Sequence, residues 1–585
     1  MTSLPPPLTT ALKQTAPLLL ALLMVAPAGG DAILEGDRAI PQQANAGMVV
    51  TSHTLATQAA LEVLADDGNA IDAAVTAGFV LAVVQPRSGN IGGGGFMLIA
   101  NDPTQQVVAI DYRETAPAAA TRTMFIDAQG EVDTGLSRFS HLSAGVPGTV
   151  DGLLLALERY GSIDRKRALA PAIKLAREGF IVPPRFTQGF EQSSKRLLSD
   201  DTTASLFYKK DGTAHQPGER FTQPQLAATL TRIAEQGREG FYAGETARLI
   251  SQQMKRQGGL ISAQDLANYR AKVRKPLKGR YRGYEIYSMP PPSSGGVHII
   301  QMLELLEPYP IAELGHNSAR TIHLMAEAMK LAYADRATHL GDSDFVAVPV
   351  EGLLSNTYID RRRQLINSER ATPSSTIQEG NPAAYESEET THFSVADRFG
   401  NLVSNTYTLN FSYGSGISVA GAGFLLNNQM DDFSAKPGSA NAYGLTGADK
   451  NSIAANKRML SSMSPTIVRH NNRNLMATGT PGGPRIITTT LQVIMNVLDH
   501  GMNIQEAVNA PRVHHQWLPD SLRIESGISP DTRALLTSMG YQLRTGPAMG
   551  ASQSIYIDEA GIMQGAADPR RDTSSAMGLW QPPRR

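Results

Sequence analysis

Thr390 follows the acidic stretch Glu386-Ser-Glu-Glu389 and opens an alternating run, Thr390-Thr-His-Phe-Ser-Val395. A threonine hydroxyl is a weak nucleophile until a base takes its proton, and the sequence lacks the usual catalytic arrangements. It contains no Gly-x-Ser-x-Gly elbow, no His-Glu-x-x-His and no Walker loop. It has no cysteine, which removes thiol catalysis, disulfides, cysteine zinc sites and iron–sulfur clusters. The 12 histidines are scattered, and the pair His514-His515 reads as structural, not as a metal site. One further activator is the free α-amine of an N-terminal threonine, whose pKa of about 7.7–8.0 makes it a base at neutral pH. An internal threonine reaches that state only if the peptide bond before it is cut. A polar, acidic segment ending at a strand-opening threonine suits that demand. By its spacing alone, Thr390 also reads as no more than the first residue of a strand.

The elements that must position it are those of a mixed α/β chain. Thr391 to Val395 and Leu402 to Leu409 alternate about the turn Asp397-Arg-Phe-Gly-Asn401, a hairpin signature. Met48 to His53 is strand-like, Leu55 to Leu64 has helical spacing and stops at Asp67-Gly68, and Ala70 to Val84 is a second, apolar helix. Ser88-Gly-Asn-Ile-Gly-Gly-Gly-Gly95 leads into a strand from Phe96 to Ala100. Its four consecutive glycines mark a backbone pressed against a neighbour. Without a following Gly-Lys-Ser/Thr they do not form a phosphate loop. Residues 148–260 read as mainly helical, with amphipathic stretches at Val150 to Tyr160 and Arg167 to Glu178. Met289-Pro-Pro-Pro-Ser-Ser-Gly-Gly296 is a loop before a helix from Val297 to Leu305. Further strands are expected at Leu475–Thr478, Leu522–Glu525 and Ser554–Ile557, and helices at Ile486–Leu498, Ile504–Asn509 and Thr532–Met539. Residues 366–389 are the most linker-like segment, and the switch at 389/390 is the main seam.

Composition bounds the function. A chain of 585 residues with 41% hydrophobic content exceeds one ordinary domain and can bury a large core. Lys+Arg 53 against Asp+Glu 54 leaves a formal charge of −1, which argues against nucleic acid as a partner. Lys13, the apolar run Leu18 to Val25 and Ala26-Pro27-Ala28 read as a secretory signal peptide over residues 1–28. The run is short of the roughly 20 residues a membrane span needs. The expectation is a periplasmic or secreted protein without a stable membrane anchor.

The Thr390 run is joined by Asn401, Thr406-Tyr-Thr-Leu-Asn410, Leu426-Asn-Asn-Gln-Met-Asp-Asp-Phe433, Leu460-Ser-Ser-Met-Ser-Pro465 and Thr478-Gly-Thr-Pro-Gly-Gly483. With Ser88–Gly95, Ala109–Pro117, Ala144–Val150, Met289–Gly296 and Ala510–Gln516, this ordered set resembles the bacterial γ-glutamyltranspeptidases over nearly everything after the signal peptide. The resemblance implies an N-terminal nucleophile hydrolase: a four-layer αββα sandwich built from two cleavage products of one precursor. By that likeness, self-cleavage between Glu389 and Thr390 yields a large subunit, 29–389, and a small one, 390–585, that remain together as a heterodimer. Thr390 then serves as nucleophile and its α-amine as proton shuttle. Thr408 matches the hydroxyl that orients it, and the backbone N–H groups of Gly482 and Gly483 match an oxyanion hole. Arg113 matches the cation for the donor's α-carboxylate, assisted by Ser461 and Ser462. Asn410, Gln429 and Asp432 match the acceptors for its α-ammonium. Tyr443, in the small-residue loop Pro437–Asp449, matches a lid over the pocket.

The implied reaction passes the γ-glutamyl group of glutathione or related compounds to water or to amino acid and peptide acceptors, with neither metal nor organic cofactor. Two other readings compete. One is an acylase of the same fold on another donor (cephalosporin, glutaryl or poly-γ-glutamate). The other is an uncleaved, non-catalytic binding protein for γ-glutamyl peptides. The acceptors for an ammonium favour a glutamyl donor, because a glutaryl group has none. Pro484 and Phe411-Ser-Tyr-Gly-Ser415 depart from the family pattern at the pocket's rim, so acceptor preference is what they place in doubt.

Overall fold

The alternation of polar and apolar residues in the central strands builds two antiparallel sheets of seven strands each. The computed structural model describes residues 39–102, 104–377, 390–436 and 449–581. The first sheet runs Ser575–Leu579, Gly47–Thr51, Thr391–Asp397, Leu402–Thr408, Gly94–Asn101, Gln106–Tyr112, Lys272–Arg274. The second runs Gln42–Ala44, Met563–Ala567, Gln553–Ile557, Arg473–Thr478, Thr466–His470, Tyr284–Ser288, Leu277–Tyr281.

Successive side chains of a strand face opposite ways, which sorts each strand between two cores. Val49, Phe393 and Val395 join the core under helices Thr54–Ala65, Ala70–Val84 and Thr149–Tyr160. Their neighbours Met48, Val50 and Ala396 pack against Ile467, Ala477 and Ile555 of the other sheet. On the far side, Ile286, Val468 and Met476 pack beneath Gly295–Leu306, Ala319–His339 and Arg485–Leu498. The order is therefore helices, sheet, sheet, helices. Between the sheets, hydroxyl bonds accompany the apolar contacts: Ser404 Oγ donates to the Thr478 carbonyl at 3.0 Å and Ser394 Oγ to that of Gln553 at 2.9 Å. These two hydroxyls thus have partners.

The four glycines lie where the sequence placed a tight contact. A Cβ on Gly93 would collide with the Thr408 carbonyl, and one on Gly95 with that of Thr406. The strand from Gly94 can therefore lie directly against the hairpin.

Some expectations need correction. The seam at 389/390 does not divide the fold, because residues 40–585 form one compact unit and each sheet contains strands from both sides of the junction. The linker reading of 366–389 fails for its described part. Trp517 Nε1 donates to the Ser374 carbonyl at 3.0 Å, and the Ala371 N–H donates to that of Met539 at 2.8 Å. Polar composition there satisfies a packed backbone. The rest of that segment, with Glu389, lies outside the described residues, as do the signal peptide and Tyr443. Helix Thr54–Ala65 is closed by Asp67, at φ +66°, one residue before the expected glycine, while the Gly68 N–H reaches back to the Val63 carbonyl at 2.9 Å. Among the described residues, no helix is long and apolar enough to cross a membrane.

Candidate active site

The hairpin turn Asp397–Asn401 sets the geometry at Thr390. It pairs Thr391 with Tyr407 and Ala396 with Leu402, so the register carried back one residue puts Thr390 opposite Thr408. Opposed residues of an antiparallel pair share a face. Accordingly, Thr390 Oγ1 donates to Thr408 Oγ1 at 3.3 Å, and that oxygen also accepts the Asn410 N–H at 2.9 Å. Asn410 makes this turn at φ +77°, a conformation asparagine tolerates better than most residues.

Thr390 and Thr408 line a cavity of about 330 Å³ together with Arg113, Asn410, Gln429, Asp432, Ser461, Ser462 and Gly483. Nine of the expected positions thus meet in one place. Gly482 stands directly behind Gly483, and the two adopt φ of +132° and +54°, a path that favours glycine. Among the described residues neither glycine's N–H has an acceptor. The next residue, Pro484, opens the helix Arg485–Leu498, whose first turn adds partial positive charge at this point.

Arg113 follows the strand Gln106–Tyr112 and is fully buried. Its Nη2 donates to Asp432 Oδ2 at 2.5 Å and to the Leu460 carbonyl at 3.3 Å, and its Nε to the Met459 carbonyl at 3.3 Å. Among the described residues its Nη1 has no hydrogen-bond acceptor, and it lies 3.5 Å from Glu114 Oε2. The sequence reading gave Arg113 and Asp432 to opposite ends of a ligand, whereas here they pair directly. Gln429 Nε2 donates to the same Asp432 oxygen at 2.7 Å. Asn451 ties that turn to the neighbouring loop, donating to the Asp432 carbonyl at 2.8 Å and accepting the Leu460 N–H at 2.9 Å. The Pro290–Ser294 loop holds the serines from behind, since Ser461 exchanges backbone bonds with Pro292 and Ser294 at 2.9 and 2.8 Å.

Two residues of this site escaped the sequence reading. Arg336, on the helix Ala319–His339, lines the cavity and donates to Ser294 Oγ at 3.0 Å and Ser462 Oγ at 3.4 Å. Burial pulls its pKa down to about 10. Glu114 is wholly buried, and burial pushes its carboxyl up to about 7 against the downward pull of Arg113. Its chain position beside Arg113 was the available signal; Arg336 lies on a helix that also carries Glu327, Lys330 and Asp335, and nothing local singled it out. His514 and His515 lie elsewhere, His514 bonded to Thr488 Oγ1 at 2.8 Å and His515 3.3 Å from Asp520. Among the described residues, no three His, Asp or Glu side chains cluster so as to hold a metal.

Four layers in the order αββα, with a threonine at the head of a central strand facing a cavity, define an N-terminal nucleophile hydrolase. Residues 56–578 match the family described as gamma-glutamyltranspeptidase. The chain is 49% identical over 537 residues to the glutathione hydrolase proenzyme of Escherichia coli K12, covering 92% of each. It superposes on the cephalosporin acylase of Bacillus halodurans with a TM-score of 0.83 at 28% identity, over 95% of this chain and 99% of that one. With the γ-glutamyltranspeptidase of Helicobacter pylori the TM-score is 0.55 at 46% identity, over 56% and 94%. The chain belongs to the γ-glutamyltranspeptidase family.

Proposed function

We propose that this chain is the precursor of a self-processing γ-glutamyltransferase and glutathione hydrolase, with Thr390 as its nucleophile. The observation that carries the reading is the meeting of Thr390, a buried arginine and a carboxylate with amide neighbours in one cavity. A γ-glutamyl group brings a carboxylate, an ammonium and a reactive carbonyl, and each has a chemical counterpart there.

Processing comes first. Thr390 Oγ attacks the Glu389 carbonyl carbon, the peptide C–N bond breaks, and the resulting ester is hydrolysed to leave a carboxylate on Glu389 and a free amine on Thr390. In turnover that amine takes the Thr390 hydroxyl proton as Oγ bonds to the donor's γ-carbonyl carbon. The Gly482 and Gly483 N–H groups receive the oxyanion. The leaving amine takes the proton back as its C–N bond breaks, and water or an acceptor amine then cleaves the γ-glutamyl ester. Thr408 orients the nucleophile, Arg113 with Ser461 and Ser462 receives the α-carboxylate, and Asp432 with Asn410 and Gln429 receives the α-ammonium. Arg336 positions Ser462. The donor's two charges take over the bonds that Arg113 and Asp432 now make to each other. The fragments 29–389 and 390–585 stay together because both contribute strands to each sheet. Tyr443 closes the site as a lid, and the segment 1–28 directs export to the periplasm.

The structural likeness to a cephalosporin acylase supports a second reading, in which the donor lacks an ammonium. Matched γ-glutamyl and glutaryl p-nitroanilides separate the two. The first reading expects the γ-glutamyl donor to be cleaved at least tenfold faster, and equal rates or a glutaryl preference would favour an acylase.

A further inference from the structure

The helix Ala319–His339 reaches the active-site cavity at two points. Arg336 meets the side that carries Ser462, through the bond described above. Tyr333 stands three residues earlier, on the same face of the helix, and meets the side that carries the glycine pair. Its hydroxyl donates to the carbonyl of Pro484, which follows Gly483 directly and lines the cavity with it. Tyr333 itself does not line that cavity.

Packing fixes the tyrosine ring. It is buried between two histidines: His298 stacks on it with ring centroids 6.2 Å apart, and His514 meets it edge-on at 5.9 Å. His514 is bonded in turn to Thr488 on the helix Arg485–Leu498, which Pro484 opens. Burial pushes the Tyr333 hydroxyl well above the usual phenol range, so it stays a neutral donor.

The group it holds belongs to the turn that aims two backbone N–H groups. The Gly482 carbonyl accepts the Arg485 N–H at 3.0 Å, and the Gly483 carbonyl accepts the Ile486 N–H at 3.1 Å. Both glycine peptides are thus built into the start of the helix, with no side chain of their own to brace them. Glycine is the residue with the freest backbone, and an oxyanion donor is effective only when its N–H is oriented beforehand. A tether on the next carbonyl supplies that orientation.

We propose that Tyr333 is a positioning residue for the oxyanion site: by holding the Pro484 carbonyl, it aims the N–H groups of Gly482 and Gly483 at the donor's γ-carbonyl oxygen. The inference rests on the reaction proposed above and adds to it a residue outside the cavity wall.

Steady-state hydrolysis of γ-glutamyl p-nitroanilide tests it, with rates expressed per Thr390-bearing fragment counted on a denaturing gel. The proteins compared are wild type, Tyr333→Phe, a protein with para-aminophenylalanine in place of Tyr333, and Arg336→Met. Formation and hydrolysis of the acyl-enzyme both pass through an oxyanion, so Tyr333→Phe slows both steps. Its kcat should fall about tenfold to a hundredfold while KM stays within about twofold of wild type. The aniline keeps a donor at the same point and should restore kcat to within about threefold. Arg336→Met should show the opposite pattern, KM rising about tenfold with kcat changed far less. An unchanged kcat in Tyr333→Phe, or no rescue by the aniline, overturns the proposal. So do kcat and KM moving together in both Tyr333→Phe and Arg336→Met, the mark of a loosened helix. Phenylalanine keeps the ring between its histidines, and melting temperatures verify folding. A Tyr333→Phe chain that does not fold, or folds but stays uncut, also overturns the proposal, which gives the hydroxyl no other duty. A wild-type protein inactive on both γ-glutamyl and glutaryl anilides would fell the reaction and this proposal together, whereas an active wild type matched by Tyr333→Phe fells the proposal alone.

Discussion

Two cavities touch Thr390, one at its side chain and one, through Arg571, at its carbonyl, and they handle charge differently. In the first, a guanidinium lies between Glu114 and Asp432, all three largely sequestered from water. In the second, three half-buried arginines line the wall, and Arg185 lies 3.7 Å from the exposed Asp572. Buried ions are tolerated when paired, and Arg113 and Asp432 must exchange their mutual bond for a ligand's. A ligand carrying both signs can make that exchange without leaving either partner bare. The second cavity keeps its cations nearer to water.

The strongest way to break this contrast is to remove the chemistry from the first cavity. Thr390→Ala should lower turnover at least about ten-thousandfold and leave a single band on a denaturing gel. Normal fragments from that variant would take Thr390 out of processing. Arg113→Met should come next. It strands Glu114 and Asp432 without their shared partner, and KM for a γ-glutamyl donor should rise about a hundredfold, about 3 kcal/mol. An unchanged KM would place the donor's carboxylate elsewhere. Asp432→Asn keeps the shape and removes the negative charge, so the preference for γ-glutamyl over glutaryl donors should fall about tenfold. Intact discrimination would mean that another group recognises the ammonium.

The smallest effect is on pH dependence. Glu114 is neutral below about pH 7 and anionic above it, because burial favours its protonated form. As pH rises through that range, a negative charge appears beside Arg113 and opposes the donor's α-carboxylate. Donor KM should therefore rise a few-fold between about pH 6 and 8, and Glu114→Gln should flatten that rise. An identical profile in the variant would remove Glu114 from the account.

Local signals carried much of this architecture. Alternation about Asp397–Asn401 foretold the hairpin, and that hairpin's register alone sets Thr390 against Thr408. The apolar run Ala70–Val84 forms a helix with those bounds, its start capped by Asn69 and Asp72 in a reciprocal pair. What was not legible depends on partners distant in sequence. Residues 371–374 look like linker until Trp517, Asp520 and Met539 are seen to take their backbone groups. Gly295 and Gly296 read as loop, yet they begin the helix, where Ser464 and the Met289 carbonyl leave no room for a side chain. Arg336 belongs to no local motif, and only the packing of its helix over the second sheet brings it to Ser462. The direct Arg113–Asp432 pair spans 319 positions, and no spacing rule announces it.

Intact-mass measurement with N-terminal sequencing of the catalytically active protein tests the central claim most directly. The account predicts two chains, one of them beginning Thr-Thr-His-Phe at position 390. Full activity in a preparation containing only the uncut chain would contradict it, since the amine assigned to deprotonate Thr390 would then still be an amide.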